Sequence, residues 1–356
     1  MKIAVLNDTH IGVRNSSEAF IDYQKRFFEE VFFPYVDKHN IKIILHLGDL
    51  YDNRKYINFK ALHASRKYFL EPMRERGMIM DVIPGNHDVF YKSTNELCSL
   101  KELLGYFTNN INIVTEPRVM DYDGFKIGLI PWINPENYAK SMKFIEKCKA
   151  SWIGGHLELI GFELMKGVEN THGMDASTFS RFEKVLTGHF HTKSKKGNIQ
   201  YLGSQTEFTW ADAHDDKFFH VIDTSTRKLK SVRNPIRIFQ KILYNDNEMD
   251  YNKDYDVSIL ENKFVKIIVS KKKDAYKFEQ FVDKIQENVV THDLKIVESF
   301  DEFFGENVQL SQNVKVDDTP TLLNTYIENV DTDLDKSKLK NLMNNVYAEA
   351  LNMETL

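Results

Sequence analysis

The sequence predicts an α/β fold with a mixed sheet. Three observations carry this: short apolar runs recur along the chain, helix-period patterns separate the early runs, and turns join the later ones. The runs cover residues 3–6, 41–47, 78–83, 111–114, 125–130, 152–154, 185–186, 199–202 and 218–222, a spacing suited to strands. Between the first two, residues 18–38 place Phe20, Tyr23, Phe27, Phe28 and Val31 roughly at helix period, and residues 59–76 follow a similar rule. The later runs follow one another through turns such as Lys196-Gly197-Asn198, so antiparallel pairs are expected beside parallel ones.

Composition shifts near Asn234-Pro235. A strand is expected at 236–243, an acidic polar stretch at 245–256 and a strongly apolar strand at 264–269. A helix at 276–289 and a strand at 294–299 follow, together a small second α/β domain. Residues 301–321 are polar and acidic, with Asp317-Asp318-Thr319-Pro320 as a breaker, and read as a linker. Two C-terminal helices are expected at 322–330 and 334–351. The second carries a stripe of Leu339, Leu342, Met343, Val346, Tyr347 and Leu351.

Bulk properties narrow the function. No stretch approaches the roughly 20 apolar residues of a membrane span, and the first residues read as a strand rather than a secretion signal, so a soluble cytoplasmic protein is expected. Cys98 and Cys148 are the only cysteines, which argues against a disulfide framework or a thiolate zinc site. The net charge of −5 counts mildly against nucleic acid as partner. Local patches, and bound cations, decide phosphate contact instead.

Five polar clusters each follow an apolar run: Asn7-Asp8-Thr9-His10, Gly48-Asp49, Gly85-Asn86-His87-Asp88, Gly155-His156 and Gly188-His189-Phe190-His191. Ligands collect at the carboxyl ends of strands in α/β sheets, so five such ends can converge on one place. Carboxylate, amide oxygen and imidazole without thiolate suit manganese, iron or zinc, and suit magnesium less well. In Asp8-x-His10 and His189-x-His191, residues two apart share a face of an extended strand, and each pair is expected to address one cluster. Seven candidate ligands are too many for one tetrahedral ion and about right for two ions with a bridging carboxylate. Of the 12 histidines, His39, His46, His63, His214, His220 and His292 read as ordinary core or surface residues.

The ordered pattern Asp8-x-His10, Gly48-Asp49, Gly85-Asn86-His87-Asp88, Gly155-His156, Gly188-His189-x-His191 resembles the signature of the calcineurin-like metallophosphoesterases. The resemblance implies a four-layer α/β sandwich with a small α/β cap domain and C-terminal helices. It implies that Asp8, His10, Asp49 and His191 hold one divalent metal and Asp49, Asn86, His156 and His189 a second, with Asp49 bridging. Mn2+ is the expected metal, with Mg2+, Fe and Zn as alternatives. His87 would be the proton donor, oriented or charged by Asp52 or Asp88.

The chain lacks the glycine that protein phosphatases of this superfamily carry after Gly48-Asp49. Its domain order resembles the SbcD-type nucleases and their double-strand-break-repair relatives. The run Gly155–Phe162, with Lys166-Gly167 and His172-Gly173, is similar to the nuclease subunits of large bacteriophages. That resemblance implies residues 1–234 as nuclease domain, 235–300 as a capping or DNA-binding domain, 301–321 as linker and 322–356 as helices for an SMC-like ATPase partner. It further implies 3′→5′ exonuclease and endonuclease action on DNA ends and single strands, and a homodimer with Phe59, Leu62, Leu97, Leu100 and Leu103 as candidate contacts. Asp52 stands where archaeal and eukaryotic members have a histidine. Arg14, Arg54, Lys55, Lys92, Lys193, Lys195 and Lys196 follow the motifs and are candidate phosphate contacts. A small-molecule phosphoesterase and an inactive scaffold for the ATPase are the alternatives.

Overall fold

The computed structural model describes residues 1–107, 109–165, 168–298, 324, 326–328 and 334–353. The expected linker, most of the helix expected at 322–330, and Lys166-Gly167 lie outside the described residues. The chain divides into two compact units, Met1–Phe208 with Asp215–Ile236, and Thr209–His214 with the chain from Arg237 on.

In the first unit the strands are β1 (Lys2–Leu6), β2 (Ile43–Leu47), β3 (Ile79–Ile83), β4 (Ile111–Ile113), β5 (Arg118–Tyr122), β6 (Phe125–Ile130) and β7 (Trp152–His156). A short hairpin of β8 (Glu163–Met165) and β9 (Val168–Glu169) follows, then β10 (Lys184–Gly188), β11 (Ser194–Lys196), β12 (Ile199–Tyr201), β13 (Lys217–Asp223) and β14 (Lys228–Asn234). One sheet has the order β14-β13-β1-β2-β3-β4 and the other β11-β12-β10-β7-β6-β5. β1 to β4 are mutually parallel, as are β6, β7, β10 and β12, while β13, β14, β5 and β11 pair antiparallel at the margins.

Strand periodicity of two sorts the side chains into layers. Ile3 and Val5 of β1, with Leu45 and Leu47 of β2, pack between the sheets against Ile127, Leu129, Trp152 and Leu186. Ala4, Leu6, Ile44, Met80 and Val82 point the other way, onto the helices that follow β1 and β2. Ile130, Ile153, Val185 and Tyr201 cover the outer face of the second sheet with Ile145, Phe179 and Phe182. The result is helix, sheet, sheet, helix. Burying each large side chain contributes roughly 1.5–3 kcal/mol, so these three clusters hold the strand ends in place.

The helix expected at 18–38 exists as Glu18–Arg26, Phe27–Phe32 and Phe33–Lys38 end to end, and that at 59–76 as Phe59–Ser65, Arg66–Leu70 and Glu71–Glu75. The middle turn of each is widened to π register, and each widening abuts a proline, Pro34 or Pro72. A proline ring collides with the carbonyl four residues back and donates no N–H. The Phe33 and Glu71 amides accordingly reach back five residues, to Phe28 and Arg66. The two widened turns meet: the rings of Phe28 and Phe69 stack at 4.3 Å, a contact worth about 0.5–1.5 kcal/mol beyond its burial.

Strands β5, β11 and β14 and the helix Tyr138–Lys147 were not expected; their residues are mostly half-exposed and carry no continuous apolar run. Of the candidate dimer contacts, Leu62 and Leu100 are buried in the helix-side core and Leu103 packs against it, while Phe59 and Leu97 are exposed. Core packing therefore accounts for the first three.

The second unit has three parallel strands, β15 (Phe239–Asn245), β16 (Phe264–Lys271) and β17 (Asp293–Glu298), in that order. The helix Ala275–Asn288, capped by Asp274, lays Phe278, Phe281 and Ile285 over Ile242, Tyr244, Val265 and Ile267. The first strand begins three residues later than expected, at Phe239. The C-terminal helix spans Lys336–Met353 and exposes Leu342 and Val346. Among the described residues no helix is long and apolar enough to cross a membrane.

Candidate metal centre

All five polar clusters sit at the carboxyl ends of parallel strands. β1, β2 and β3 of the first sheet deliver Asp8 and His10, Asp49, and Asn86 to Asp88. β7 and β10 of the second deliver His156, and His189 and His191. The two sheets are stitched along this rim by polar contacts. His156 Nδ1–H donates to the Leu47 carbonyl at 2.9 Å, and the His189 amide donates to both oxygens of Asp8 at 3.0 and 3.1 Å.

The paired motifs do not converge as an extended pleat. Asp8, His10 and Asp49 lie in the left-handed region with φ of 48°, 48° and 55°, and His189 has φ of 96°. Side chains rarely adopt this conformation, and its cost of about 1–3 kcal/mol each persists only when surroundings impose it. Here the imposed turns end each strand abruptly and fold the side chains into the rim. The expectation that Asp8 and His10, or His189 and His191, share a strand face is corrected: the strands have already ended at Leu6 and Gly188.

The surroundings that impose the first turn are buried. Gln24, from the helix Glu18–Arg26, donates to the carbonyls of Thr9 at 2.7 Å and His10 at 3.3 Å, and Tyr68 donates to Gln24 Oε1 at 3.1 Å. Thr9 Oγ1 meets His46 Nε2 at 2.8 Å and accepts from Gln205 at 3.1 Å. Asn7 donates to Asp8 Oδ2. Replacing Gln24 with Ala leaves the Thr9 and Tyr68 partners unsatisfied in the core, and a loss of about 1–3 kcal/mol is expected. Thermal unfolding of the metal-free variant measures it; an unchanged midpoint would show that the turn holds without Gln24. Glycine is required where the second turn meets the third: a Cβ on Gly85 would stand 2.5 Å from the Asp49 amide nitrogen and closer still to its carboxylate.

Three trios of potential ligand atoms result among the described residues: Asp8, His10 and His191; His10, Asp49 and His87; and Asp49, His156 and His189. Within each, the atoms lie within 4.8 Å of one another. His10 Nε2 and His191 Nε2 face each other at 3.1 Å. Asn86 Oδ1 stands 3.0 Å from His156 Nε2 and 2.9 Å from His189 Nδ1. Asp49 Oδ2 lies between the groups, 3.7 Å from His10 Nε2 and 3.2 Å from His156 Nε2.

The donor set fits divalent cations. Asp8 and Asp49 are essentially inaccessible to water, and burying a carboxylate costs several kcal/mol unless positive charge faces it. In the metal-free protein protons supply that charge. Burial opposes a charge on His10 and His156, yet Asp52 and Asp49 for the first, and Asp49 for the second, raise both to about 9. Burial lifts Asp8 to about 6. Asp49, despite its burial, is held well below the usual carboxylate range, chiefly by His156 and His87. Burial lowers His189 to about 3. The outer hydrogen bonds of the imidazoles also fit: His156 Nδ1 on Leu47 and His10 Nδ1 on Asp52 Oδ1 at 3.0 Å leave each Nε2 toward the centre.

These shifts have a sign. His10 and His156 are raised above their ordinary 6.5, so the stability they contribute is complete below about pH 6.5 and is lost as pH rises through about 9. The thermal midpoint of the metal-free protein is expected to fall across that window. Bound Mn2+ should abolish the fall, since cations displace these protons. A flat profile for the metal-free protein would contradict the arrangement.

His87 stands beside this centre. Its ring lies 4.8 Å from that of His10, its Nδ1–H donates to the Asp52 carbonyl oxygen at 2.5 Å, and burial pulls its pKa down. The Asp52 carboxylate serves His10 instead, and only the Asp52 backbone orients His87. Asp88 does not address His87. Its buried carboxylate accepts from the amides of Gly85, Leu50 and Tyr51 at 2.9–3.1 Å and ties the Asp49 turn to the Gly85 turn. That leaves it no free edge, and burial raises it to about 7.

Of the basic candidates, Arg54 is half-buried and close enough for Asp49 to act on its guanidinium. Arg14 donates to the Phe208 carbonyl at 3.0 Å. Lys55 and Lys92 are exposed on the loops after β2 and β3. Lys193 donates to Ser231 and lies over the Phe218 ring. Lys195 and Lys196 lie farther along: β11 runs antiparallel to β12, so they recede from the strand ends that carry the centre. Lys196 is level with Ile199 and pairs with Glu169.

Two aromatic neighbours went unread. Trp132 packs its ring 5.3 Å from His189 and 6.0 Å from His156, and Phe208 lies 5.1 Å from His10 and 5.0 Å from His191. Trp132 follows the end of β6, so the strand-end rule that marked the candidate ligands could have found it.

The sequence profile of the calcineurin-like phosphoesterases matches residues 1–193. Over 98% of this chain and 99% of the relative, 32% of residues are identical to Exonuclease subunit 1 of Enterobacteria phage T4. Over 68% of this chain and 70% of the relative, 20% are identical to a subunit of the SbcCD nuclease of Staphylococcus saprophyticus.

Proposed function

From a chain that belongs to the calcineurin-like phosphoesterase family, we propose a two-metal DNA nuclease that works as a subunit beside an SMC-like ATPase. The observation that carries the two-metal reading is Asp49 Oδ2, set between imidazoles from different sheets at 3.7 and 3.2 Å. Asp8, His10, Asp49 and His191 would hold one cation, and Asp49, Asn86, His156 and His189 the other, with manganese as the metal. Bound divalent cations supply Lewis-acid polarisation of a phosphodiester and a water acidified to near-neutral pKa.

The chain's own groups do the rest. The left-handed turns hold the ligands before substrate arrives, so no reorganisation is needed. His87, with Nδ1–H committed to Asp52, gives a proton from Nε2 to the departing sugar oxygen. Arg54, with Lys55 and Lys92 on the neighbouring loops, meets the phosphate backbone, and Arg14 and Lys193 are further contacts. Trp132 walls off the His189 side.

The names of both relatives, an exonuclease subunit and a nuclease subunit, support nuclease action within a complex. In this reading the second unit serves as a DNA-binding domain, and the exposed Leu342 and Val346 of the last helix dock on the ATPase. Phe59 and Leu97 contribute to a homodimer. Cleavage is 3′→5′ on ends, with endonuclease action on single strands, in the cytoplasm of a bacterium or a phage-infected cell. Manganese-loaded protein offered linear duplex, single-stranded DNA and nucleotide monoesters is expected to cut the polymers faster. Preference for the monoesters would end the nuclease reading, and inertness toward all three would favour a scaffold.

A further inference from the structure

We propose that Lys217 is a positioning residue for one of the two cation sites, the one assigned to Asp8, His10, Asp49 and His191. Its buried ammonium sets the backbone of His191 and, through it, the imidazole that meets the cation. The inference rests on the two-metal reading and adds to it a group from outside the five polar clusters. The placement follows from topology. β13 runs antiparallel to β1, with Val5 level with His220. Lys217 opens β13, so it lies beside the carboxyl end of β1, where the Asp8–His10 turn begins. Its side chain is only 2% exposed, and its Nζ donates to the His191 carbonyl at 3.1 Å and to Asp215 Oδ2 at 3.1 Å.

Burying an ammonium is costly unless it is paired and its N–H groups find acceptors. Asp215 keeps 31% of its side chain exposed, so an ion pair with a nearby lysine could form at the surface without burial. Burial instead brings the charge onto a carbonyl of the metal centre, and a charge-assisted hydrogen bond is roughly twice as strong as a neutral one. The same carbonyl accepts from the Ser204 amide at 3.0 Å. The segment 203–205 also braces the first ligand turn. Asn7 donates to the Gly203 carbonyl at 2.9 Å, and Gln205 donates to Thr9 Oγ1 at 3.1 Å. Asn234, level with Lys217 on β14, donates to the Gln205 carbonyl at 2.8 Å. The His191 turn and the Asp8–His10 turn are therefore fastened to one buried plate, with Lys217 as its charged tie. His191 Nε2 meets His10 Nε2 at 3.1 Å across the site, and a small rotation of the backbone at His191 would part them.

Calorimetric titration of Mn2+ into the metal-free full chain tests this. The wild type is expected to bind two ions. Lys217→Met should weaken one binding step by roughly 10–100-fold, the usual loss when the support of a metal ligand is removed, and leave the other unchanged. The weakened step should be the one that His191→Ala abolishes. Adding Lys217→Met to His191→Ala should cost nothing further, because both act through one imidazole. Lys217→Arg, which keeps a charged donor, should restore the wild-type titration. The Mn2+ concentration for half-maximal hydrolysis of bis-p-nitrophenyl phosphate should rise in Lys217→Met by the same factor as the weakened step. If Lys217→Met does not fold, Lys217→Gln, polar but one bond shorter, takes its place with the same expectation. Undiminished affinity in both steps, or equal weakening of both, overturns the inference and leaves the two-metal reading intact. A wild type that binds a single ion overturns both.

Discussion

Asp49→Asn is expected to lower phosphodiester hydrolysis by roughly 10³-fold or more, a barrier increase of about 4 kcal/mol. The reason is position. Asp49 is the one carboxylate shared by two of the ligand trios, and its other oxygen accepts the His87 amide at 2.8 Å. The substitution keeps the size and removes the charge, so the turn should survive while the two proposed cation sites would lose their common anion. Metal titration by calorimetry should report one weakened site or none in the variant, and two bound ions in the wild type. Burial and the amide contact mean that Asn can still accept from His87, so unfolding cannot stand in for the effect. A variant that binds two ions and hydrolyses at the wild-type rate would refute the bridging role.

His87→Gln is expected to behave differently: full metal binding, with cutting of DNA reduced by roughly 10²–10³-fold. A sugar alkoxide leaves poorly and needs a proton, which in the proposed reading His87 would offer, whereas p-nitrophenolate leaves without help. Hydrolysis of bis-p-nitrophenyl phosphate should therefore fall much less than hydrolysis of DNA. The contrast between leaving groups is the readout, since loss of a ligand would depress both equally. Burial lowers the His87 pKa, which makes the protonated form scarcer and a stronger acid. DNA cutting should decline with rising pH through a limb that the Gln variant lacks. Equal losses on both substrates would return His87 to the ligand set, where its proximity to His10 and Asp49 also permits it.

The helices at 18–38 and 59–76 were legible because their aromatic stripes face one continuous core. Their widened turns were not. Pro34 and Pro72 would have argued for breaks, but two prolines against two matched π turns keep both helices whole, and the match exists only once Phe28 meets Phe69. Strands β5, β11 and β14 escaped because edge strands are half-exposed and need no apolar run. Asp52 and Asp88 illustrate the same limit within the site. The sequence offered Asp88, next to His87, or Asp52 as the partner of His87, yet the Asp52 carboxylate meets His10 and its carbonyl meets His87.

By itself the order of residues determined which groups meet. Parallel strands put five strand ends on one rim, and a polar cluster just past each apolar run falls there. It also determined the kind of chemistry, because oxygen and imidazole donors without thiolate select hard or borderline divalent cations. Only the tertiary structure decided how each group points. Direction depends on backbone angles that are unfavourable in isolation and are imposed by buried partners such as Gln24, Tyr68 and Asp88, which come from distant segments. Such energies are absent from any local stretch of chain and arise only when the layers have packed.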